Sequence, residues 1–331
     1  MRSYIYTLGI AFLFGLTAPV LAEDRGPEYD ARLSGYPYPF DVHTFGFDSQ
    51  RQHLEMAYMH LPAKGTRPTV ILLHGKNFAA DYWEKTARYL HEKGYGVLMP
   101  DQIGFGKSSK PAHYQFSFEA LANNTRALVD SLKVDKLIVM GHSMGGMLAI
   151  RYALNHADMV EQLVLVNPIG LEDYLRYVQY KDPAFFYHSE LGKTIDMVRD
   201  YQRKNYYDGQ WSDDYETLTQ IHAGWINGPD WERVAWNNAL TLDMIFTGSV
   251  VNEIDQLRIP THLIIGTRDT TGPGRGWKKN GVDYQLGRYD QLGQTVVDLI
   301  PQAHLYELED VGHLPQFEAF DLYRQQLDKI F

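Results

Sequence analysis

Short apolar runs alternate with longer amphipathic stretches along most of the chain. Runs typical of strands that are buried on both faces lie at residues 69–73, 96–99, 137–140, 162–166 and 260–265. Stretches with helical character follow three of these runs, at residues 82–93, 116–132 and 144–155. Strand and helix therefore alternate with short connections, which predicts an α/β fold with a largely parallel sheet covered by helices on both faces.

The two ends of this pattern differ from its middle. Residues 45–47 and 53–61 predict strands of an opening hairpin or meander. The chain closes with a predicted helix at 289–299, a strand at 304–308 and a helix at 315–331. No internal repeat is visible, and we predict that these strands belong to one sheet.

The alternation stops after Asn167-Pro168. Residues 171–255 look helical throughout and are rich in aromatic side chains, which predicts a helical cap inserted into a core formed by residues 41–170 and 256–331. Most of these aromatics are expected in the interior of the cap, with a minority facing a substrate. They are Tyr174, Tyr177, Phe185, Phe186, Tyr187, Trp211, Trp225, Trp231 and Trp236. Residues 23–40, rich in Gly, Pro and Tyr, predict an irregular lead-in segment.

Residues 1–22 are unlike the rest of the chain. An arginine precedes an apolar run from Tyr4 to Leu16, and small residues end the segment at Ala22. The pattern predicts a secretory signal peptide cleaved after Ala22, and so a periplasmic or secreted protein without a stable membrane anchor. The alternative is an uncleaved anchor, but the run is shorter than the about 20 apolar residues of a span and contains a glycine and a proline.

Composition narrows the function further. The 331 residues carry a formal net charge of −10, which argues against a nucleic-acid-binding surface built from clustered Lys and Arg. The chain has no Cys, so disulfides, thiol nucleophiles and thiolate metal sites are excluded. No group of His, Asp and Glu has metal-ligand spacing, and we therefore predict neither a metal nor a cofactor. The sequence does not indicate an oligomeric state.

The strongest chemical signal is the hexapeptide Gly141-His142-Ser143-Met144-Gly145-Gly146. It lies where the predicted strand 137–140 ends and the helix 144–155 begins, the context in which G-x-S-x-G places a nucleophilic serine on a sharp turn. The flanking glycines are needed because a Cβ there would collide with neighbouring backbone. Without that context the same motif would be an ordinary glycine-rich turn.

A second loop, residues 74–78, ends the predicted strand 69–73 beside this turn. Its backbone is expected to form an oxyanion hole together with the N–H of Met144, with Lys76 as the first choice of donor and Asn77 as the second. Only the backbone of Lys76 enters this hypothesis, and its side chain can simply be solvated. His74 precedes the loop and is interpreted as a buried structural histidine.

A serine nucleophile needs a base and a carboxylate that orients the base, in the chain order Ser, acid, His. Asp269 directly follows the strand 260–265, and His313 follows the strand 304–308, so both are predicted at the carboxyl edge of the sheet. We therefore predict Ser143, Asp269 and His313 as a catalytic triad. The alternatives are a turn residue for Asp269 and a helix-cap neighbour for His313, while His262 and His304 fall at the opposite edge.

These motifs together resemble the α/β-hydrolase superfamily over nearly all of the mature chain. Within it, the chain is similar to the capped branch that holds serine esterases, carbon–carbon bond hydrolases, epoxide hydrolases and haloalkane dehalogenases. The last two groups carry an aspartate at the elbow, so Ser143 disfavours them. Many serine members also have a cap inserted where residues 171–255 fall.

One departure from that resemblance is the 44-residue separation between Asp269 and His313 (313 − 269), which is longer than expected. The surplus follows the proposed acid and includes the glycine-rich residues 272–281. One interpretation is a mobile flap over the pocket, with Arg275, Lys278 and Lys279 attracting an anionic substrate. The other is a solvated surface loop.

The leading functional hypothesis is hydrolysis of a carboxylic ester, a small-molecule substrate, through an acyl-enzyme intermediate. The alternatives are hydrolysis of a carbon–carbon bond in a diketone, which the same serine motif would fit, and a non-catalytic hydrolase-like binding protein. A lyase or acyltransferase could use the same triad. The identity of the substrate depends on how the cap closes, which the sequence does not reveal.

Overall fold

The computed structural model describes residues 26–331, so the predicted signal peptide at residues 1–22 lies outside the described residues. Its centre is an eight-stranded sheet with the strand order β1-β2-β4-β3-β5-β6-β7-β8. The strands are β1 (Val42–Ser49), β2 (Gln52–Leu61), β3 (Thr69–Leu73), β4 (Gly96–Pro100), β5 (Leu137–His142), β6 (Val160–Val166), β7 (Thr261–Gly266) and β8 (Ala303–Leu308). All eight were predicted, with bounds that differ by a few residues at most.

Strand β1 forms an antiparallel hairpin with β2, which in turn pairs antiparallel with β4. The strands from β4 through β3, β5, β6 and β7 to β8 are parallel. Because parallel strands share one direction, the loops after β3, β5, β7 and β8 all emerge at the same edge of the sheet.

Helices cover the sheet and fill the chain between β6 and β7. The α-helices are α1 (Glu84–Glu92), α2 (Phe118–Ser131), α3 (Met144–Asn155), α4 (Tyr174–Tyr177), α5 (Pro183–Leu191), α6 (Ile195–Tyr206), α7 (Asp213–Thr217), α8 (Gln220–Asn227), α9 (Trp231–Thr247), α10 (Tyr289–Val297), α11 (Pro315–Glu318) and α12 (Phe320–Ile330). We call α4–α9 the cap helices. Of the helices within residues 26–331, none combines the length and the apolar character needed to cross a bilayer.

Two hydrophobic layers sandwich the sheet because successive strand residues point to opposite faces. In β3, Ile71 and Leu73 pack with α2, α3 and α10, whereas Val70 and Leu72 pack with α1 and α12 on the other face. All five residues of β3 are buried. A strand buried on both faces cannot alternate apolar and polar residues, which is why it reads as one continuous apolar run.

The predicted helix at 315–331 is two helices in the structure. Ala319 has φ −141° and ψ 54°, outside the helical region, and separates α11 from α12. Before this break, the Glu318 carboxylate accepts a hydrogen bond of 2.8 Å from the N–H of Gly312 and pairs with Arg268. The break therefore lies where Glu318 braces the loop that follows β8.

The described part of the lead-in segment, residues 26–40, contains neither helix nor strand, yet it is well packed. Leu33 is completely buried and packs with Ile221 and Trp225 of α8 and with other cap residues. A few residues later, the Tyr38 hydroxyl donates a hydrogen bond of 2.7 Å to Asp101, which follows β4. The lead-in segment therefore joins the cap helices to the sheet.

Candidate active site

Ser143 lies on the turn between β5 and α3 and is almost completely buried. Its φ of 56° falls in the left-handed region, which a residue with a side chain adopts only when its surroundings enforce it. Neighbouring glycines make this turn sterically accessible. A Cβ on Gly145 would collide with the backbone carbonyl of Leu73 in β3, and one on Gly141 would collide with the backbone of Gly145.

The structure brings the three predicted triad side chains together at the carboxyl edge of the sheet. His313 Nε2 lies 3.0 Å from Ser143 Oγ, and His313 Nδ1 lies 2.7 Å from Asp269 Oδ2. His313 and Asp269 are both buried, at 0% and 1% exposure. Since a carboxylate only accepts, Nδ1 carries the proton toward Asp269, which leaves Nε2 free to accept the proton of the Ser143 hydroxyl.

Further hydrogen bonds fix the carboxylate of Asp269. Its Oδ1 accepts from the N–H of Thr271 at 2.8 Å, and its Oδ2 also accepts from the Asn167 amide at 2.9 Å. Burial alone would raise the pKa of Asp269, but the adjacent His313 and the hydrogen bonding from Thr271 outweigh it and lower that pKa below its usual range. Asp269 is therefore held ionised beside the imidazole.

Asn167 also belongs to the site, although no sequence pattern indicated it. Its side-chain Oδ1 accepts from the N–H of Gly266 at 3.0 Å while its Nδ2 donates to Asp269, so it links the ends of β6 and β7. Its own φ is +36°, a conformation in which Asn is enriched. In the sequence, the Asn167-Pro168 pair after a buried strand marks the end of the alternating pattern and does not indicate a contact with Asp269.

A second histidine braces the turn from behind. His142 Nε2 lies 2.8 Å from the carbonyl oxygen of His313, so Nε2 carries a proton and donates it there. Its Nδ1 then accepts from the Tyr82 hydroxyl at 3.0 Å, and that hydroxyl accepts from the N–H of Gly75 at 3.1 Å. Burial holds the pKa of His142 well below its usual range. This neutral chain of hydrogen bonds connects the loops after β3, β5 and β8.

The cap also contributes to the site. The ring of Tyr206, at the end of α6, stacks on the His313 imidazole with centroids 4.7 Å apart and planes 26° apart. The Tyr206 hydroxyl accepts a hydrogen bond of 3.0 Å from the Asn77 side chain, which belongs to the loop after β3. Tyr206 thus shields one face of the imidazole from water, a role that no local sequence pattern indicated.

The predicted oxyanion-hole donors also lie near the turn. A Cβ on Gly75 would lie 3.2 Å from the Ser143 Cβ, so the loop that carries Lys76 passes directly beside the serine. Met144 is the first residue of α3, where the N–H has no partner within the helix. Within residues 26–331, the backbone N–H groups of Lys76 and Met144 donate no hydrogen bond to the protein.

A cavity of about 540 Å³ opens above Ser143. Apolar side chains from α5 and α9, namely Phe186, Ile245 and Phe246, border it together with Trp277. Of the nine aromatics listed above from the cap sequence, Phe186 alone is among the residues that border the cavity. Of these nine, Tyr174, Phe186 and Trp225 are buried, Phe185 is exposed, and the other five are partly buried.

Polar and charged groups border the same cavity. Lys76 is partly buried, and its Nζ donates a hydrogen bond of 3.1 Å to Asn238 of α9. Glu190, Lys193 and His222 of the cap region also line the cavity. The Lys76 side chain therefore borders the site, a position that no local sequence pattern indicated. Across residues 26–331, no three His, Asp or Glu side chains cluster in a way that could hold a metal ion.

The glycine-rich residues after Asp269 also belong to the cavity wall. Residues 271–277 border it, including Arg275, and the loop pairs with the cap through hydrogen bonds from the N–H of Gln179 to Trp277 and from the N–H of Lys279 to Tyr177. Lys278 and Lys279 do not border the cavity, and the Lys279 ammonium donates to the backbone carbonyl of Leu175. Of the three cations that the sequence grouped together, Arg275 alone borders the cavity.

Comparison with known proteins agrees with this architecture. The family model of the alpha/beta hydrolase fold matches residues 68–320, and the chain therefore belongs to that family. The prediction of an α/β-hydrolase fold with a mostly parallel sheet flanked by helices is confirmed. A crystal structure of a probable hydrolytic enzyme from Pseudomonas aeruginosa PAO1 is 46% identical and superimposes with a TM-score of 0.89, covering 92% of this chain and 98% of that one.

Two curated relatives are more distant. Lipase 1 of Psychrobacter immobilis is 25% identical over 283 residues, 76% of this chain and 73% of the lipase. The 2-hydroxymuconate semialdehyde hydrolase of Pseudomonas sp. (strain CF600) is 28% identical over 134 residues, which are 39% of this chain and 46% of that enzyme. The proteins that this chain resembles therefore include one named as a lipase and one named as a semialdehyde hydrolase.

The close approach of Gly145 to β3 predicts a sharp steric effect. Gly145→Ala places a Cβ against the backbone carbonyl of Leu73, which cannot rotate away, and should lower the free energy of unfolding by about 3 kcal/mol. The measurement is urea denaturation followed by tryptophan fluorescence. Gly276→Ala is the matched control, because a Cβ there meets no atom within 4 Å, and it should change stability little. Equal stability of the two variants would contradict this account of the turn.

Proposed function

We propose that the chain is a serine hydrolase that cleaves carboxylic esters through an acyl-enzyme intermediate. The observation that carries the proposal is the continuous contact from Ser143 Oγ to His313 Nε2 at 3.0 Å and from His313 Nδ1 to Asp269 at 2.7 Å. A base that touches the hydroxyl and is itself oriented by a carboxylate is the arrangement that activates a serine. Its position in the wall of a cavity of about 540 Å³ supports a small-molecule substrate.

In the first half-reaction, Ser143 Oγ attacks the ester carbonyl while His313 Nε2 takes the hydroxyl proton. Asp269 stays ionised and stabilises the imidazolium, because its pKa is lowered by the same hydrogen bonds that hold it in place. The imidazolium then gives its proton to the departing alkoxide, and the acyl group remains on Ser143. In the second half-reaction, His313 takes a proton from water as the water oxygen attacks the acyl carbon. The bond from that carbon to Ser143 Oγ then breaks, the imidazolium returns the proton to Oγ, and the carboxylic acid leaves.

Charge that develops on the carbonyl oxygen needs donors that are already in place. Within residues 26–331, the N–H groups of Lys76 and Met144 donate to no protein group, and they lie on the two loops that flank the serine. We assign them to the oxyanion hole, where each donor contributes about 3 kcal/mol to stabilising the transition state. The positive end of α3, which begins at Met144, acts in the same direction.

A second candidate is hydrolysis of a carbon–carbon bond in a diketone. It is favoured by the similarity to 2-hydroxymuconate semialdehyde hydrolase, which covers 39% of this chain. The longer match to a lipase and the predicted export of the chain favour ester hydrolysis. Parallel assays of a p-nitrophenyl ester series and a vinylogous 1,5-diketone separate the two candidates, since only the preferred class should be turned over efficiently.

Replacing the nucleophile should abolish turnover. Ser143→Ala removes the hydroxyl that contacts His313 Nε2, and we expect hydrolysis of a p-nitrophenyl ester to fall by about 10⁵-fold. Labelling with a fluorophosphonate probe should disappear in the same variant, while the wild type is labelled stoichiometrically. Retention of most activity in Ser143→Ala would exclude this mechanism, and a wild type that resists the probe would favour a binding protein.

Replacing the acid distinguishes its role from simple packing. Asp269→Asn keeps the shape of the side chain, but its amide can donate to His313 Nδ1 and so favours the wrong tautomer. We expect kcat to fall by about 10³–10⁴-fold with little change in KM. Asp310→Asn, in the exposed loop just before His313, is the matched control and should keep near wild-type activity. If Asp269→Asn stayed within a few-fold of the wild type, another carboxylate would be the acid.

We also propose that the protein is exported to the periplasm or secreted. The support is the sequence of residues 1–22 alone, with its apolar run and the small residue at Ala22. When the full chain is expressed in a Gram-negative host, the protein recovered from the periplasm or medium should begin at Glu23. Recovery of the uncleaved chain from the cytoplasm or membrane fraction would contradict export.

A further inference from the structure

We infer that the polar side of the cavity is an anion-binding subsite centred on Lys76, and that the ester cleaved at Ser143 carries a carboxylate. The inference rests on the ester hydrolysis proposed above and names its substrate class. It follows from the charges that border the cavity, from the hydrogen-bonding state of Lys76, and from buried polar groups that an alkyl chain would leave unpaired.

The first argument is the sign of the local charge. The charged side chains among the described residues that border the cavity are Lys76, Lys193 and Arg275, all cationic, and the carboxylate of Glu190. The whole chain has a formal net charge of −10, so the net charge of the side chains that line the cavity is opposite in sign to that of the protein. A positive cavity in an acidic protein favours a negatively charged ligand.

The second argument is that Glu190 is already neutralised. It is 2% exposed, its Oε1 lies 2.5 Å from Lys193 Nζ, and its Oε2 accepts from the Asn238 amide at 3.2 Å. Burial would raise the pKa of Glu190, but Lys193 and Lys76 outweigh it and hold that pKa below its usual range. Lys193 makes the ion pair with Glu190, so Lys76, Lys193 and Glu190 together carry one positive charge in excess.

The third argument is the state of the Lys76 ammonium. It has three N–H donors, and within residues 26–331 it donates one hydrogen bond, to Asn238, with the Phe105 ring 5.3 Å away. Lys76 also carries the backbone N–H assigned to the oxyanion hole, so its side chain starts beside the scissile bond. A carboxylate on the substrate would supply the missing acceptor within one bound molecule.

Neighbouring buried groups point to the same chemistry. Gln202 of α6 and His222 of α8 border the cavity at 1% and 5% exposure. Among the described residues, neither amide atom of Gln202 nor Nδ1 of His222 has a hydrogen-bond partner. Buried polar atoms without partners cost free energy, and a polar ligand or the water it holds would satisfy them after small side-chain rotations.

The subsite should respond to pH near neutrality. Burial lowers the pKa of Lys76 to about 7, with Glu190 raising it and Lys193 lowering it further. His222, which also borders the cavity, is neutral because burial lowers its pKa to about 3, and the buried His74 behind the loop also has a lowered pKa. Lys76 is therefore cationic below about pH 7 and loses its charge above it, so preference for an anion should decline as pH rises.

The test compares each carboxylated ester with its neutral carboxamide of the same size. One pair places the carboxylate on the acyl side, as mono-p-nitrophenyl glutarate and p-nitrophenyl 4-carbamoylbutanoate. The other places it on the alcohol side, as 3-carboxyphenyl and 3-carbamoylphenyl butanoate. We expect wild-type kcat/KM to be about 10-fold higher for the acid in at least one pair. The acid-to-amide ratio should fall between pH 6 and pH 9, because effects of pH on the shared hydrolytic step cancel in the ratio.

Two variants test whether the preference for the carboxylated ester depends on Lys76. Lys76→Met keeps the backbone N–H and should bring the acid-to-amide ratio close to 1 at every pH. Lys136→Met is the matched control, because this exposed lysine donates to the carbonyl of Asp158 far from the cavity, and it should keep the wild-type ratio. A Lys76→Met protein that unfolds more easily but keeps the acid preference would show that Lys76 only ties the loop after β3 to α9. That result, or a wild type without preference in both pairs, would overturn the inference.

A binding measurement separates failure of the subsite from failure of the proposed function. Glutarate binding to Ser143→Ala is followed by isothermal titration calorimetry and compared with the same protein carrying Lys76→Met. Binding that depends on Lys76 supports the subsite even if no ester is cleaved, in which case the ester hydrolysis is what fails. Hydrolysis of neutral esters without Lys76-dependent glutarate binding would leave the proposed function intact and refute the subsite.

Discussion

The site depends on one steric constraint, the close approach of backbone at the turn between β5 and α3. Beside the left-handed φ of Ser143, a Cβ on Gly145 would overlap the backbone of β3 and a Cβ on Gly141 would overlap the backbone of Gly145, so glycine alone fits at both positions. That packing fixes the serine hydroxyl at the sheet edge where β7 and β8 also end. The parallel sheet brings the loops after β5, β7 and β8 to one edge, and the strained turn places the serine beside the base there.

A hydrogen-bonded framework keeps the meeting loops in register. The His142 side chain spans from Tyr82, behind the loop after β3, to the carbonyl of His313 in the loop after β8. Asn167 joins the ends of β6 and β7 in the same way. Each group is buried and neutral or paired, so the framework avoids the cost of an uncompensated charge near the triad. The cap adds the ring of Tyr206 over the imidazole.

The sequence was most informative where local pattern and chemistry coincide. A strand buried on both faces must be apolar throughout, so β3 was recognised with its bounds, and a glycine-flanked serine between strand and helix identified the turn. Chain order and strand ends were enough to select Asp269 and His313 among the carboxylates and histidines, and the structure places both in contact. Their catalytic role remains the prediction that the two triad variants address.

Other parts of the site depend on contacts between distant segments. Asn167, Tyr206 and the Lys76 side chain reach the site through packing of the cap on the core, and such packing has no periodicity to read in a single sequence. The same limit applies to Leu33, which looked like part of an irregular segment and is completely buried against α8. The break at Ala319 was missed because the flanking residues have helical character on both sides.

The pairing of residues 272–279 with the start of the cap has a consequence for how such enzymes can be recombined. Thr271, which orients the acid, continues directly into a loop whose backbone is bonded to residues 177–179. A cap transplanted from a relative would lose those bonds and disturb the support of Asp269 unless the loop after β7 travelled with it. The two segments, far apart in the gene, form one exchangeable module.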